Sequence, residues 1–298
     1  MDKKIVKGKS LQEVQPNTRY MGCSFYLDYV DGENLEGTEF DNCSFRGFFR
    51  DWGRDKYGVW MAITYKGIRQ VMRWIRPGTF MMGSPETEMD RYGEDQHQVT
   101  LSEGFWLAET ACTQELWKAV TGENPSKFKG DQRPVETVSW EDCQEFMDKW
   151  NKEITGAKLS FPTEAQWEYT CRAGTTTAFS FGGRITRKQV NCNSRVSRET
   201  VEVKSLPCNP WGLYEMHGNV CEWCGDWYGA YRDSKTTDPV GAISGSYRVL
   251  RGGGWNNWSW FVRSASRGGL EPDRRHDHVG FRFCLRSKIE LRSRGNEM

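Results

Sequence analysis

The sequence predicts an α+β fold in which a β-rich domain carries a few helices and many loops. Its 298 residues include 14 tryptophans and 31 glycines. Chains of this composition tend to hold irregular loops around a compact centre rather than layers of long helices. Alternating strand-like segments and three helix-start signals are the other two observations behind the prediction.

Composition and charge limit the classes of function. Apolar residues make up 37% of the chain and charged residues 27%, as in globular proteins, and the formal net charge is +1. A charge this small gives no electrostatic attraction to nucleic acid, so no nucleic-acid partner is expected. No run of about 18 apolar residues predicts a membrane span. The opening "MDKKIVKGKS" lacks the pattern of a signal peptide, so the cytoplasm is the expected location. If a leader or anchor is missing from this sequence, the virion or the cell surface is the alternative location.

The ten cysteines show no regular disulfide framework. Without an export signal, buried and reduced thiols are expected, whereas a leader outside this sequence would make disulfides an alternative. Cys221 and Cys224 form a CxxC pair, but no second pair follows at zinc spacing. We therefore interpret these two as buried thiols.

Residues 1–56 are predicted to form a small β-rich N-terminal segment. An apolar residue recurs there at every fifth position: Tyr20, Phe25, Val30, Leu35, Phe40 and Phe45. This spacing resembles a pentapeptide-repeat coil. Two short strands with tight turns at Asp31-Gly32 and Gly37 explain the same pattern equally well.

The main domain is predicted at 57–287, followed by a tail at 288–298. "GVWMAITYK" and "IRQVMRWI" have the composition of strands. Thr113, Ser139 with Asp142, and Thr163 with Gln166 predict the starts of three helices. "YRVLRGGGW" and "VGFRFCLRS" are predicted to be neighbouring strands.

Seven ordered blocks carry a resemblance to a known family. They are "GTFMMGS", "ETACTQELWKAVTGENPSKFKG", "PVETVSWEDCQEF", "LSFPTEAQWEYTCRAG", "NPWGLYEMHGNVCEWCGDWY", "RVLRGGGW" and "VGFRF". They occur in the order seen in formylglycine-generating enzymes and their relatives and cover about residues 57 to 287. The resemblance implies the C-type-lectin-like fold of the formylglycine-generating-enzyme type, with little regular secondary structure.

The chemistry of those enzymes is not expected here. They oxidise a substrate cysteine with two thiols that bind copper, but the matching stretch "GGGWNNWSWFVRSASRGG" contains no cysteine, and Ser264 occupies the place of one thiol. A serine cannot replace a thiolate toward Cu(I). The four histidines, His97, His217, His276 and His278, are too dispersed to predict an iron site. We predict no catalytic residue; the alternative is a relative with a non-copper enzymatic role.

Segment 251–286 resembles the variable region of proteins diversified by diversity-generating retroelements. In that group a fixed framework alternates with codons mutated at adenines, and an AAC codon altered in this way never gives Trp or Glu. Trp258, Trp260 and Glu271 are therefore assigned to scaffold or to differently encoded neighbours. The predicted ligand-binding positions are Asn256, Asn257, Ser259, Phe261, Ser266, Gly268, Gly269, Leu270, Arg274, His276, Asp277 and His278.

These positions predict a non-catalytic protein with a hypervariable surface that binds a protein on another cell or organism. The alternative is chance, because the same residue types are common in any exposed loop. The framework arginines 263, 267, 275 and 282 are expected to pair with backbone carbonyls and with acids such as Asp226, Asp233 or Asp273. The acidic loop 83–99 is expected to be solvated.

The resemblance also implies a structural Ca²⁺, because the related enzymes bind calcium near a matching "GNVxEW". Transferred position by position, it points to Asn219, Val220 and Glu222. Calcium takes six to eight oxygen ligands, and these residues offer at most three. The alternative is that Asn219 satisfies loop backbone and Glu222 pairs with an arginine. No other cofactor is expected.

Overall fold

The structure is a computed structural model that describes residues 3–27, 29–47, 50–154, 157–193, 195, 198–231 and 235–287. The predicted tail 288–298 and the proposed arginine partner Asp233 lie outside the described residues.

Six short parallel strands form the N-terminal segment. They build two three-stranded ladders of orders β1-β3-β5 and β2-β4-β6, which is the geometry of a coil and not of a hairpin. Asp31 caps a short helix where the alternative interpretation placed a tight turn. The elements are β1 Lys4–Lys7, β2 Ser10–Leu11, β3 Thr18–Met21, β4 Ser24–Tyr26, α1 Gly32–Leu35, β5 Glu39–Asp41 and β6 Ser44–Arg46.

Stacked aromatic rings fill this coil. Tyr20 stacks on Phe40 with ring centroids 5.4 Å apart, and Phe25 stacks on Phe45 at 5.1 Å. Trp52 contacts both Phe40 and Phe45 edge to face. Parallel strands place residues of equal register above one another, so Tyr20 lies above Phe40 and Phe25 above Phe45. The apolar residues at every fifth position therefore form two columns of stacked rings.

A six-stranded sheet forms the centre of the main domain. Its order is β13-β19-β12-β9-β8-β7. The sheet begins at Asp51, so a boundary at residue 57 would divide the hairpin formed by β7 and β8. Its strands are β7 Asp51–Asp55, β8 Gly58–Tyr65, β9 Ile68–Ile75, β12 Phe105–Ala108, β13 Ala157–Ser160 and β19 Cys284–Ser287.

The three capped helices are confirmed. Thr113 accepts a hydrogen bond from Leu116 N, and Ser139 with Asp142 and Thr163 with Gln166 form complete capping boxes. Their ranges are α2 Gln114–Thr121, α3 Trp140–Glu153 and α4 Glu164–Arg172. The domain consists mainly of sheets with a few helices, which confirms the predicted α+β fold.

Two smaller sheets complete the domain. The first has the order β17-β16-β14-β18 and the second β10-β11-β15. The predicted strands around Arg251 and Phe281 are therefore not neighbours, because β14 lies between them. The strands are β17 Arg267–Leu270, β16 Arg248–Arg251, β14 Cys221–Trp227, β18 Val279–Phe281, β10 Gly78–Met82, β11 His97–Leu101 and β15 Lys235–Thr237, and a 3-10 helix spans Ser259–Val262.

One hydrophobic cluster joins the coil to the main domain. It includes Tyr20 and Phe25 of the coil together with Trp74 and Trp106 of the six-stranded sheet. Trp106 Nε1 donates a hydrogen bond to Val30 O at 2.9 Å. The coil and the sheet therefore share a core. None of the helices in the described ranges is both long and apolar enough to cross a membrane.

The aromatic face and its scaffold

Two loops meet at one surface, formed by residues 255–261 and 276–278, which we call the aromatic face. Gly253 and Gly254 bring them together. Gly253 has φ +67°, and a Cβ there would lie 2.6 Å from Val262 Cγ1. A Cβ on Gly254 would lie 2.9 Å from His278 Cβ. Only glycine permits these approaches, so the glycine run sets the position of the first loop against the second.

Trp255 links the two loops by hydrogen bonds. Its backbone N–H donates to Asn219 O at 2.8 Å, and its indole Nε1 donates to Asp277 O at 2.9 Å. Its ring meets Phe128 edge to face at 5.4 Å. Trp255 is half-buried and lies in a turn, and it holds the backbone of the face in place.

Exposed aromatic rings occupy one side of the face. Trp258 and Trp260 stack in parallel with centroids 5.3 Å apart, and Phe261 lies 6.0 Å from Trp260. Trp260 is 38% exposed and Phe261 51% exposed. The Arg195 guanidinium lies 5.0 Å above the Trp258 ring. Of the two assignments left open for Trp260, the exposed ring fits a differently encoded neighbour better than a scaffold residue.

Charged and titratable groups occupy the other side. The His276 and His278 rings lie 5.3 Å apart, and Lys127 Nζ pairs with Asp277 at 2.5 Å. Burial, with a smaller contribution from His276, lowers the pKa of His278. Burial opposes ionisation of Asp277, yet hydrogen bonds from Lys127 and His278 bring its pKa below the usual range. At neutral pH this side therefore presents an ion pair beside neutral imidazole.

The two asparagines of the face are half-buried. Asn257 Oδ1 accepts the Gly254 N–H at 2.8 Å, and its backbone carbonyl accepts the Asn193 N–H at 2.6 Å. The Asn257 carboxamide therefore stabilises its own loop. Ser259 is exposed and begins the 3-10 helix.

Five of the predicted ligand-binding positions lie outside the two loops of this face. Ser266 is buried, which corrects its assignment to the surface: its carbonyl accepts a hydrogen bond from the buried Arg251. Strand β17 carries Gly268, Gly269 and Leu270, and Leu270 packs against the main core. Arg274 is exposed on a turn beside Arg275, which pairs with Asp142.

Strand order explains this division. Strands β17 and β18 are the two edges of the four-stranded sheet, so three strand spacings, roughly 14 Å, separate them. His276–His278 precede β18, whereas Gly268–Leu270 lie on β17 itself. Residues close in sequence therefore reach opposite edges.

Buried arginine–glutamate pairs follow each of the two loops in the chain. Arg263 binds both oxygens of Glu94 at 2.9 Å. Arg267 pairs with Glu164, and Arg282 makes two hydrogen bonds to Glu222 at 2.6 and 2.7 Å. The arginines also bond backbone carbonyls as expected.

The acidic partners of these arginines differ from the prediction. The arginines pair with glutamates of the 83–99 loop, α4 and β14, and not with Asp226 or Asp273 as expected. Arg275 pairs with Asp142. The 83–99 loop is also not simply solvated, since Glu94 is 2% exposed. Acids at helix spacing, such as Glu164 and Glu168 on α4, were a signal that sequence reasoning missed.

Ser264 lies in a closed, neutral cluster. Its Oγ is 3.8 Å from Cys171 Sγ, which is 3.7 Å from His217 Nε2. His217 donates from Nδ1 to Val262 O at 2.7 Å and accepts the Ser180 N–H at Nε2. Burial lowers the pKa of His217 to about 4 and raises the pKa of Cys171 to about 12. The cluster therefore holds neither a thiolate nor a free base at neutral pH.

Two of the three predicted calcium ligands, Asn219 and Glu222, already have partners within the protein. Asn219 Oδ1 accepts N–H groups from Val201 and Asn191, and both Glu222 oxygens are bound by Arg282, with Trp167 Nε1 on one of them at 2.6 Å. A carboxylate neutralised by a buried guanidinium is a poor ligand for Ca²⁺. These residues do not fit a calcium ion, and within the described ranges no three His, Cys, Asp or Glu side chains form a group suited to a metal.

Comparison with known proteins agrees with the blocks in the sequence. The sulfatase-modifying factor enzyme 1-like domain matches residues 66–287. The chain belongs to this family. A serine/threonine-protein kinase pkn1 of Chlamydia caviae is 37% identical over 241 residues, covering 71% of this chain and 37% of the kinase. The mouse formylglycine-generating enzyme is 29% identical over 204 residues, covering 62% of this chain and 52% of the enzyme. The chain thus spans about half or less of the length of either relative.

Among solved structures, Treponema denticola variable protein 1 is similar to this member of the sulfatase-modifying factor enzyme 1-like family. It is 29% identical with a TM-score of 0.68, and the similarity covers 76% of this chain and 99% of that protein. The predicted C-type-lectin-like fold of the formylglycine-generating-enzyme type is confirmed. The resemblance to a variable protein is confirmed with it.

Proposed function

We propose that this chain is a non-catalytic ligand-binding protein whose aromatic face is the core of a retroelement-diversified surface. One observation carries the proposal: the exposed side chains of Ser259, Phe261 and His276 project from loops whose backbone is fixed by other residues. Exposed side chains on a fixed backbone can be exchanged at little cost to folding.

The scaffold favours binding by a rigid surface. Trp255, Gly253 and the Arg263–Glu94 pair hold the two loops without using the exposed rings, because Arg263 Nε also donates to Trp260 O. A surface ordered before binding loses less conformational entropy on association. Aromatic rings beside small polar and charged groups are the composition of protein-binding surfaces, so the ligand proposed is a protein.

The alternative is a family member with an enzymatic role that does not use copper. The chain has no cysteine between Cys224 and Cys284, and Cys171 beside Ser264 is a protonated thiol. These observations favour binding over oxidation. Incubation with a Cys-X-Pro-X-Arg peptide and copper should give no formylglycine by mass spectrometry, and turnover would refute the non-catalytic proposal.

Sequencing of the DNA around the gene tests diversification directly. We expect a near-copy of codons 251–286 that differs only at adenines, beside a reverse transcriptase gene. The codons of Ser259, Phe261 and His276 should each differ from the template codon only at adenines. A locus without such a copy would overturn the retroelement part of the proposal and leave a fixed binding surface.

A further inference from the structure

A loop outside the variable segment exposes two large hydrophobic side chains. Met89 is 81% exposed and Tyr92 is 82% exposed, and both lie in residues 88–93, which we call the adjoining loop. A single exposed hydrophobic residue is common on soluble proteins and needs no explanation. The position of this pair in the fold therefore decides whether it has a role.

One arginine bonds the adjoining loop to the aromatic face. Arg263 Nη2 donates to Asp90 O at 2.7 Å, and its Nε donates to Trp260 O at 2.9 Å. Because both donors belong to one small planar guanidinium, the two carbonyl oxygens lie within roughly 8 Å of each other. Met89 precedes Asp90 and Phe261 follows Trp260, so exposed side chains of the two segments start from neighbouring backbone. The adjoining loop and the aromatic face therefore form one region of the surface.

The adjoining loop also lies beside the edge strand β17. Arg267 Nη1 is 3.5 Å from Gly93 O. A Cβ on Gly93 would lie 3.9 Å from the Tyr228 hydroxyl, and a Cβ on Gly269 would lie 3.1 Å from Tyr228 Cβ. Gly269 is one of the predicted ligand-binding positions outside the two loops of the aromatic face. The adjoining loop therefore neighbours both groups of predicted positions.

The backbone of the adjoining loop is held without its exposed side chains. Glu94, which follows the loop, is 2% exposed and binds Arg263 through both oxygens at 2.9 Å. It also accepts from the Ser84 hydroxyl at 2.9 Å, and Ser84 N donates to Glu94 O at 2.9 Å. Met89 and Tyr92 are thus exposed on a fixed loop, and Met and Tyr are enriched in protein-binding surfaces. Ordering such a loop on binding costs little conformational entropy.

We propose that the adjoining loop is a constant part of the ligand-binding surface, in which Met89 and Tyr92 contact an apolar patch on the protein ligand. This inference rests on the proposed function. The loop lies outside segment 251–286, so diversification of that segment leaves it unchanged. The variable side chains determine which protein binds, and the constant pair adds apolar contact to each complex.

Yeast display of the full chain with randomised codons for Ser259, Phe261 and His276 tests the proposal. Lysozyme and carbonic anhydrase serve as two unrelated probe proteins, and binders are selected for each. The double substitution Met89→Ser and Tyr92→Ser is then made in every selected binder. We expect it to weaken the affinity for either probe roughly tenfold or more, as for the loss of contacts at the centre of an interface.

A matched control is the double substitution Ile5→Ser and Tyr26→Ser. These side chains are 58% and 60% exposed, and they belong to the N-terminal coil. We expect this control to leave the affinity of each binder unchanged. Circular dichroism should show the parent spectrum for both double variants, since all four side chains are exposed.

Oxidation by hydrogen peroxide gives a second measurement without any substitution in the adjoining loop. Exposed methionines are converted to the sulfoxide, which mass spectrometry detects. Met89 should be oxidised more slowly in each complex than in the free binder. Full affinity in the folded Met89→Ser, Tyr92→Ser variant, or unchanged oxidation of Met89, would overturn this inference alone. A library that gives no binder for either probe would overturn the proposed function and this inference with it.

Discussion

At the scale of single residues, buried charge pairs are the strongest local constraints. Arg263 is 4% exposed and bonds Glu94, Glu88 and the Asp90 carbonyl. Removing one partner leaves carboxylates buried without their cation, which costs about 3–5 kcal/mol. We expect Arg263→Gln to lower the free energy of unfolding by that amount in urea titrations.

Arg275→Gln is the matched control for this substitution. Arg275 also binds a carboxylate with two hydrogen bonds, at 2.6 Å each to Asp142, but its side chain is 51% exposed. Exposed pairs contribute about 0–1 kcal/mol. Equal losses in the two variants would contradict the view that burial makes the Arg263 pair important.

Glu215 should make stability depend on pH. Burial raises its pKa from 4.5 to about 7, against hydrogen bonds from Lys204 N and Leu206 N. Between these two values the unfolded chain has lost the proton and the folded chain retains it. Stability therefore falls as pH rises through this window and levels off above it.

Glu215→Gln removes this dependence. Since one pKa unit corresponds to about 1.4 kcal/mol, the variant should gain roughly 2–3 kcal/mol relative to the parent between pH 5 and pH 8. Urea unfolding of both proteins at each pH gives the difference, in which other titrating groups such as His217 cancel. A difference that is the same at both pH values would argue against a buried, protonated Glu215.

At the scale of elements, the glycine run after β16 determines where the first loop goes. Gly253→Ala places a methyl group 2.6 Å from Val262 Cγ1 at a positive φ. We expect a loss of about 1–3 kcal/mol, as for other strained backbone positions. Gly268→Ala is the control, because its Cβ would meet nothing closer than 4.0 Å. Thermal unfolding of both variants checks the contrast, and a Gly253→Ala variant as stable as Gly268→Ala would show that the loop relaxes freely.

Local signals in the sequence were sufficient for the helices. Caps such as Ser139 and Thr163 act within one turn, so the residues that decide a helix start are adjacent in the chain. Strand β14 escaped prediction because "CEWCGDW" alternates too little to separate it from the surrounding turns. Missing β14 also led to the wrong neighbour for β18.

The candidate surface was predictable in part for a related reason. Side-chain type identified exposed positions such as Phe261 and His276. It gave no information on Ser266, which lies inside because a buried arginine from another strand bonds its carbonyl. Whether two segments share a face depends on strand order, which is a non-local property.

At the scale of the whole molecule, the coil and the domain should unfold together. Phe25 lies in the same hydrophobic cluster as Trp106, although 81 residues separate them in sequence. Phe25→Ala should cost about 3–5 kcal/mol. Unfolding followed by tryptophan fluorescence and by circular dichroism should shift to lower urea as one transition. Two separate transitions would mean that the coil folds independently.

The fold separates residues that hold the molecule together from residues that face solvent, and a combined substitution tests this separation. Phe261→Ser, Ser259→Asn and His276→Asn together change three exposed side chains of the aromatic face. Surface changes of this kind usually alter stability by less than about 0.5 kcal/mol each. We expect the free energy of unfolding of the triple variant, measured in urea, to lie within about 1.5 kcal/mol of that of the parent.

Phe281→Ser is the control for the triple variant. The Phe281 ring is fully buried against Trp117 and Phe146, so this one substitution should cost more than about 3 kcal/mol. If the triple variant lost as much stability as Phe281→Ser, the aromatic face would be part of the core and could not vary without unfolding the protein.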